Sequence, residues 1–347
     1  MKKRLFFTLV LLTTGVFGAM AQQTLAVLTH GTTTKTFDGY NALQDAYAEA
    51  SSGDLITLSS GTFGSITTIE KAITIRGAGL AYDEDYHSQP TIISGNMTLA
   101  LPATETGRVL IEGIFHNDII YYIEGQKNPQ FVKCRLGGVD RLEYTELGTK
   151  KYGKMTGAHF LQCKIVKNIR LNANSSASLI NCYVRNPYSV NDTTSVFYMK
   201  NCNIDPRGSS NGYGYLYSST CVNCIFMKNS GVSGLPLTYN DNTLFSNCLI
   251  FKVAPDKSKN SYWTYETMES VFKTYVGSYT DDEQFLLRDE VKSIYCDEDG
   301  REVGMNGGDF PFNARVSGPH LRTFSVDSHS TTDGKLRVRM QVDTTIE

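Results

Sequence analysis

The chain has 347 residues and a formal net charge of −2, since 33 lysines and arginines stand against 35 aspartates and glutamates. This balance leaves no basic footprint and argues against nucleic acid as a partner. Twenty tyrosines and 30 glycines, together with few long helical patterns, indicate a β-rich chain.

The N-terminus has the pattern of a signal peptide. Three basic residues ending in Arg4 precede an apolar run over residues 5–17, and small residues then lead to Ala21. We expect residues 1–21 to be a signal peptide that is cleaved near Ala21. No cysteine follows the cleavage site to carry a lipid, and no later stretch approaches about 18 apolar residues. We therefore expect an exported monomer, secreted, periplasmic or at the cell surface, with no transmembrane segment.

A helix and two β segments are predicted next. A helix over residues 40–50, after Asp38 as its N-cap, would place several apolar residues on one face. These are Ala42, Leu43, Ala46, Tyr47 and Ala50. The two β segments that follow are GDLITLSSGTF at residues 53–63 and IEKAITIRGAG at residues 69–79.

Six short apolar segments each carry a cysteine at the same point, and we call them repeats. Their sequences are FVKCRL, FLQCKI, SLINCYV, MKNCNI, CVNCIF and FSNCLI, with Cys134, Cys163, Cys182, Cys202, Cys224 and Cys248. Most steps between these cysteines are about 20 residues, which indicates a solenoid.

The repeats also share two apolar positions. Three residues before the cysteine stand Phe131, Phe160, Leu179, Met199, Cys221 and Phe245, and two after it stand Leu136, Ile165, Val184, Ile204, Phe226 and Ile250. Alternate residues of a strand share a face, so both positions point inward only if the chain turns just before the cysteine. Asparagine, which stands there in four repeats from Asn181 to Asn247, tolerates the left-handed conformation of such a turn. Stacked repeats would let these amides pair as a ladder.

Two weaker repeats at residues 92–97 and 110–115, with glycine in the cysteine slot, extend the array upstream. The turns and the interior rows resemble those of the pectin lyase-like superfamily, and the order of helix and β segments resembles the opening coil of its secreted bacterial members. The resemblance implies an all-β fold: a right-handed, single-stranded parallel β-helix, or solenoid, over residues 22–255. An N-terminal capping helix and an irregular C-terminal cap would close it. Residues 256–347 would form the covering segment, the last coil and a β-hairpin.

Outward positions turn apolar at Ile225 and Leu249, and such a patch is normally covered. We expect residues 262–279 to fold over it, with Trp263, Met268, Val271, Phe272 and Tyr275 along one helical side. Residues 299–312 resemble the final segment of bacterial secreted β-helix proteins. Asp333–Gly334, between alternating apolar residues, predicts the hairpin.

The cysteines are expected to be reduced core residues rather than disulfides, because six of the eight occupy one interior slot. Cys221 and Cys224 form a CxxC pair. Cys221 stands where other repeats have Phe, Leu or Met, so we expect no metal site there.

Enzymes of the superfamily act on acidic polysaccharides. Its lyases use an Arg or Lys base with Ca²⁺ on carboxylates, and its hydrolases use grouped aspartates. Neither set is recognisable in the sequence. The leading hypothesis is therefore a non-catalytic glycan-binding or adhesive surface module that needs no cofactor. The alternative is a lyase or glycoside hydrolase acting on an acidic polysaccharide, with Ca²⁺ if it is a lyase.

Candidate ligand-binding residues lie at outward positions. Arg135, Lys164 and Arg185, with Tyr183, could form a basic stripe for a polysaccharide or cell-surface glycan, or an ordinary solvated face. Tyr213, Tyr215 and Tyr217 alternate along one strand and would be a sugar-stacking platform outside or core inside. The insertion at residues 137–158 is the longest between repeats, and such loops often build a binding face. His116 and His159 are expected at the surface or in turns.

Overall fold

The computed structural model describes residues 24–82, 89–146, 148–189, 194–205, 214–227, 237–239, 242–251, 258–259, 261–264, 267–275, 279–315, 320–326 and 338–343. The predicted signal peptide, Tyr213 and the Asp333–Gly334 turn lie outside these residues. None of the helices within them is long and apolar enough to cross a membrane.

Helices are few and short. They are α1 (Ala42–Glu49), α2 (Met268–Val271) and α3 (Asp289–Lys292). The strands before the first cysteine repeat are β1 (Leu25–His30), β2 (Thr33–Asp38), β3 (Leu55–Leu58), β4 (Gly61–Gly64), β5 (Thr68–Ile69), β6 (Thr74–Arg76), β7 (Thr91–Ser94), β8 (Met97–Leu99), β9 (Leu110–Glu112), β10 (Phe115–Tyr122) and β11 (Gln126–Lys127).

The cysteine repeats and the insertion contain the next set of strands. They are β12 (Gln130–Val132), β13 (Arg135–Arg141), β14 (Glu143–Glu146), β15 (Thr149–Tyr152), β16 (Met155–Thr156), β17 (Ala158–Leu161), β18 (Lys164–Leu171), β19 (Ser176–Ile180), β20 (Tyr183–Arg185), β21 (Pro187–Ser189), β22 (Val196–Lys200), β23 (Asn203–Asp205), β24 (Gly214–Leu216), β25 (Thr220–Val222), β26 (Ile225–Phe226), β27 (Leu237–Tyr239), β28 (Leu244–Ser246) and β29 (Leu249–Phe251). The last four strands are β30 (Ser258–Lys259), β31 (Tyr262–Thr264), β32 (His320–Val326) and β33 (Val338–Asp343).

Two long sheets contain most of these strands, one of 12 strands and one of 15. From β3 onward, neighbouring strands in both sheets are parallel, and the chain alternates between the sheets within each repeat. The chain is thus all-β with long parallel sheets, an arrangement consistent with a β-helix.

The 15-stranded sheet has two halves. Strands β10, β13 and β18 are long, and they pair through their first residues with one set of strands and through their last residues with another. We call the part that continues through β20, β23, β26 and β29 the first half. The part that continues through β21, β24 and β27 is the second half.

The predicted turn is confirmed in all six repeats. The residue before each cysteine has φ between 49° and 54°, the left-handed region. These residues are Lys133, Gln162, Asn181, Asn201, Asn223 and Asn247. In the predicted repeat at residues 110–115 the glycine occupies this turn slot and not the cysteine slot, because Glu112 pairs with Val132. Ile114, which is fully buried, takes the cysteine slot there. The predicted repeat at residues 92–97 is wrong, because Ile92 pairs with Phe115, which follows the turn.

The predicted interior rows are also confirmed. All twelve apolar positions flanking the repeat cysteines are buried in one continuous core with the cysteines. The eight cysteines are free thiols, of which seven are buried. Each repeat thiol donates to a carbonyl of the preceding repeat, as Cys202 Sγ does to Leu179 O at 3.3 Å. The cysteines therefore act as packing residues.

The predicted amide ladder does not form. The side-chain oxygens of Asn181, Asn201 and Asn223 are buried and accept no hydrogen bond from the part of the chain that is described. Asn181 Nδ2 instead donates to Met305 O at 3.0 Å and to Gly307 O at 2.7 Å. The C-terminal segment crosses the row of turns and accepts from Asn181, and also from Gln162, whose Nε2 donates to Phe310 O at 3.3 Å.

The N-terminal end is closed by α1 and the β1–β2 pair. Ala42, Leu43 and Ala46 of α1 are fully buried, as predicted. Strands β1 and β2 pair antiparallel and add to the edge of the 12-stranded sheet through β3. Asp38 ends β2 and is not the N-cap; α1 begins after Asn41, whose side chain makes no capping hydrogen bond.

The apolar patch on the first half of the 15-stranded sheet is covered, as predicted. Ile225 and Leu249 are buried in a second apolar cluster with α2 and with apolar residues from 272–275 and 279–305. The cover is less helical than predicted, because residues 262–264 form β31, which pairs with β29. We call residues 267–275 and 279–315 the cover. The predicted C-terminal pairing is present as antiparallel β32–β33.

Candidate functional site

The predicted basic stripe lies under the cover and is not a solvated face. Arg135 and Lys164 are only 8% and 4% exposed, and they are paired neighbours in the first half of the 15-stranded sheet. Arg135 Nε donates to Asp281 Oδ1 at 2.9 Å. Lys164 Nζ donates to Asp281 O at 2.6 Å and to Glu283 O at 3.0 Å, and burial lowers its pKa to about 8. The two cations fasten the cover to the sheet.

Tyr183 and Arg185 do not form a glycan surface with them. Tyr183 is fully buried, its hydroxyl donates to Asp205 Oδ2 at 2.6 Å, and its ring packs against both Tyr279 and Phe285. Arg185 is half-buried and donates to Val166 O at 3.4 Å.

The two histidines differ. His116 is fully buried in the interior, which corrects the expectation of a surface position. Its Nε2 donates to Gly95 O at 2.8 Å, and burial lowers its pKa. Inside the core it has no route to a substrate. His159 is half-buried on the outer face of the 12-stranded sheet.

The tyrosine platform points outward. Leu216, between Tyr215 and Tyr217, is fully buried in the core, and both tyrosines are half-buried. Alternation along the strand therefore directs the two rings away from the interior. Their centroids are 6.2 Å apart with ring planes 27° apart.

The parallel register adds further residues to this outer face. Tyr121 pairs with Asp140, and Tyr188 pairs with Arg170 on one side and with Tyr215 on the other. All five side chains are half-buried. Neighbouring strands lie about 4.8 Å apart, so the row from Tyr121 to Tyr215 is roughly 19 Å long. We call these five residues and Tyr217 the outer row.

Direct contacts connect the outer row. Arg170 Nη1 lies 3.4 Å from Asp140 Oδ2, and its guanidinium carbon lies 5.2 Å from the centre of the Tyr188 ring. The Tyr188 and Tyr215 rings meet edge to face, with centroids 5.2 Å apart. These contacts form a chain from the Asp140 carboxylate through the Arg170 guanidinium to the rings of Tyr188, Tyr215 and Tyr217.

The backbone beneath the row is held by the core and by polar contacts. The hydroxyl of the buried Tyr122 donates to Arg170 O at 2.6 Å. Asp140 accepts from Arg141 N at 2.8 Å and from Asn168 Nδ2 at 3.3 Å. Burial raises the pKa of Asp140 although Arg170 opposes that shift. Burial likewise raises the pKa of Tyr217.

The insertion after the first cysteine repeat stands beside the row. Its central part is an antiparallel pair of β14 and β15 that starts just after Arg141, at the end of β13. The Arg141 guanidinium carbon lies 4.3 Å from the centre of the Tyr152 ring, and Arg141 Nη1 donates to Asn172 Oδ1 at 2.8 Å. These contacts fix Arg141, the residue next to Asp140 in the chain, at the base of the insertion.

Four members of the row were not predicted from the sequence: Tyr121, Asp140, Arg170 and Tyr188. The sequence does contain a signal for them, because each follows a core-facing residue near the end of the segment that comes after the turn. The segments IYY, VDR, IRL and PYS show this, with the outward residue in the centre.

No family model matches the chain, and neither the curated proteins nor the solved structures contain a match to it. Within the described ranges, no group of three or more His, Cys, Asp or Glu side chains is placed to hold a metal ion. What the outer row offers chemically is a set of flat apolar ring faces beside a guanidinium. Aromatic faces stack on sugar rings, and guanidinium groups bind carboxylates.

Proposed function

We propose that the protein is an exported right-handed parallel β-helix that binds polysaccharide along the outer row as a non-catalytic adhesive or glycan-binding module. In this proposal residues 1–21 are the signal peptide, residues 22–255 form the β-helix with its N-terminal cap, and residues 256–347 close it. The protein would work as a monomer outside the cytoplasm. The in-register alignment of Arg170, Tyr188 and Tyr215 on the exterior is the observation that carries the proposal.

The chemistry of the row favours a linear glycan with acidic groups. Rings spaced at the strand repeat can stack on successive parts of one extended chain. The Arg170 side chain is 42% exposed whereas that of Asp140 is 16% exposed, so the guanidinium is the more accessible charge. A carboxylate or sulfate of the glycan would be held there by charge-assisted hydrogen bonds.

Binding is favoured over hydrolysis because Asp140 is the one carboxylate within the outer row. Glycoside hydrolysis needs two carboxyl groups that flank the scissile bond, roughly 5 to 9.5 Å apart. The raised pKa of Asp140 would suit a general acid. The experiment below therefore also looks for cleavage of the polysaccharide.

The test measures affinity for polygalacturonate, alginate and a sulfated galactan, with and without Ca²⁺. We expect Tyr188→Ala and Tyr215→Ala each to weaken binding about tenfold, the equivalent of about 1.4 kcal/mol for one lost stacking contact. Arg170→Gln should weaken binding and remove most of its salt dependence. Tyr40→Ala is the matched control, because Tyr40 is 55% exposed and lies in the N-terminal part of the chain.

Equal affinities of Tyr215→Ala and the unchanged protein would contradict the proposal. New reducing ends, or the ultraviolet absorbance of an unsaturated uronate, would replace it with the hydrolase or lyase alternative.

A further inference from the structure

The outer face of the 12-stranded sheet contains a separate depression of about 190 Å³. It lies where His159, Ser178 and Tyr198 face outward from three neighbouring strands in register. Gly157, Ser176 and Ala177 form much of the rest of its lining. The outer row is on the other sheet, so the depression is a different place on the molecule.

The order of side-chain sizes creates the depression. His159 and Tyr198 carry rings, and Ser178 between them is small. Two strand steps separate the ring-bearing residues, which is roughly 9.6 Å. The slot between imidazole and phenol therefore has space for one further ring above Ser178. Binding sites for drug-sized molecules occupy about 300–1,000 Å³, so this smaller space fits a single ring of a ligand.

The side chains around the slot have hydrogen-bonding capacity to spare. Within the described ranges, His159, Ser178 and Tyr198 make no side-chain hydrogen bond or ion pair. The Tyr198 side chain is among the exposed large hydrophobic groups, at 40%. Two ring nitrogens and two hydroxyls thus surround a floor of small residues, next to an exposed aromatic face.

The lining contains no aspartate, glutamate, lysine or arginine. A charged ligand would find no counter-ion of these types in the slot, and an apolar one would leave the four polar groups unused. A sugar ring matches both features, since its C–H face stacks on an aromatic ring while its hydroxyls donate and accept. We propose that this depression is a second carbohydrate site, which takes one uncharged pyranose ring of a neutral glycan between His159 and Tyr198.

The experiment uses neutral hexasaccharides with the whole exported chain: cellohexaose, xylohexaose, mannohexaose and laminarihexaose. Binding is measured by calorimetry and by saturation-transfer NMR. Tyr198→Ala removes the stacking face, and Ser178→Trp fills the slot while leaving Tyr198 in place. Thr220→Ala is the matched control, because Thr220 is the next outward residue of the same row beyond Tyr198. Circular dichroism and urea midpoints identify any variant that fails to fold.

We expect at least one hexasaccharide to bind, with a loss of about tenfold or more in both Tyr198→Ala and Ser178→Trp and no change in Thr220→Ala. Tyr215→Ala, which alters the outer row, should bind this hexasaccharide as tightly as the unchanged protein does. A result against the second site can therefore be told apart from a result against the outer row. The proposal is overturned if none of the four sugars binds, or if a sugar binds equally to the unchanged protein and to folded Ser178→Trp.

Discussion

At the scale of single residues, the repeated cysteine has two physical roles. It is small and apolar enough to stack once per repeat in the core, and its thiol donates weakly to a carbonyl of the preceding repeat. Cys182 Sγ lies 3.5 Å from Phe160 O, and Cys202 Sγ lies 3.3 Å from Leu179 O. Alanine would keep the small size but lose the sulfur volume and the hydrogen bond.

We therefore predict that Cys202→Ala lowers the free energy of unfolding by about 1–2 kcal/mol, because it leaves a small cavity in a closed core. Urea denaturation measures the change. Cys296→Ala is the control, since Cys296 is only partly buried and lies outside the repeats. Its effect should stay within about 0.5 kcal/mol. If Cys296→Ala lowers the free energy of unfolding as much as Cys202→Ala does, the packing role of the repeat cysteines is contradicted.

At the scale of elements, what could be predicted from the sequence was local. The turn before each cysteine depends on the conformation of one residue, and the inward rows depend on alternation along one strand, so both were readable in a single repeat. The outer row depends on the register at the far ends of β10, β13 and β18 and in the strands that pair with them, and that register shifts within β10 and β13 in a way that the repeat sequences do not show. Arg135 is buried because it pairs with Asp281, which lies 146 residues away in the sequence. No local sequence pattern predicts that contact.

The cover buries the second apolar cluster, so its removal should expose apolar surface on the first half of the 15-stranded sheet. Phe285 is 1% exposed, stacks on Tyr183 with centroids 5.0 Å apart and meets Phe272 edge to face. Its backbone has φ of 52°, an unfavourable conformation for a non-glycine residue that the packed ring helps to hold. The cover thus depends on this ring more than on its short helices.

We predict that Phe285→Ala lowers the free energy of unfolding by about 3–5 kcal/mol, the usual cost of deleting a buried phenylalanine ring. Urea denaturation and limited proteolysis measure it, with cleavage expected first within the cover. Phe310→Ala is the matched control, because Phe310 belongs to the same cover but is 67% exposed. If both variants are as stable as the unchanged protein, the cover is not held by its apolar cluster.

At the scale of the whole molecule, the stacked thiols give the fold a collective response to pH. The interior cysteines belong to one continuous core, so unfolding exposes them together. Burial raises the pKa of Cys163, Cys202, Cys221 and Cys248. Burial acts in the same direction on Cys182 and Cys224, but hydrogen bonds with the neighbouring thiols outweigh it and lower their pKa, so these two do not add to the slope above pH 8.5. In the unfolded chain the same thiols ionise near their ordinary pKa of about 8.5. Between these values the folded state binds more protons than the unfolded state.

The contribution of the four raised thiols to stability should therefore be constant below about pH 8 and fall as the pH rises above about 8.5, by up to about 1.4 kcal/mol per pH unit for each thiol. Lys164 acts in the opposite direction, since its pKa in the folded protein is about 8 against an ordinary 10.5. Lys133 acts in the same direction as Lys164, because burial lowers its pKa too. Two lysines offset at most two thiols, so four thiols still give a net loss above about pH 8.5. Urea midpoints from pH 7 to pH 10 measure the slope, which should be shallower by one thiol in Cys202→Ala. A flat profile, or equal slopes in the two proteins, would show that the cysteine row does not remain protonated within the folded core.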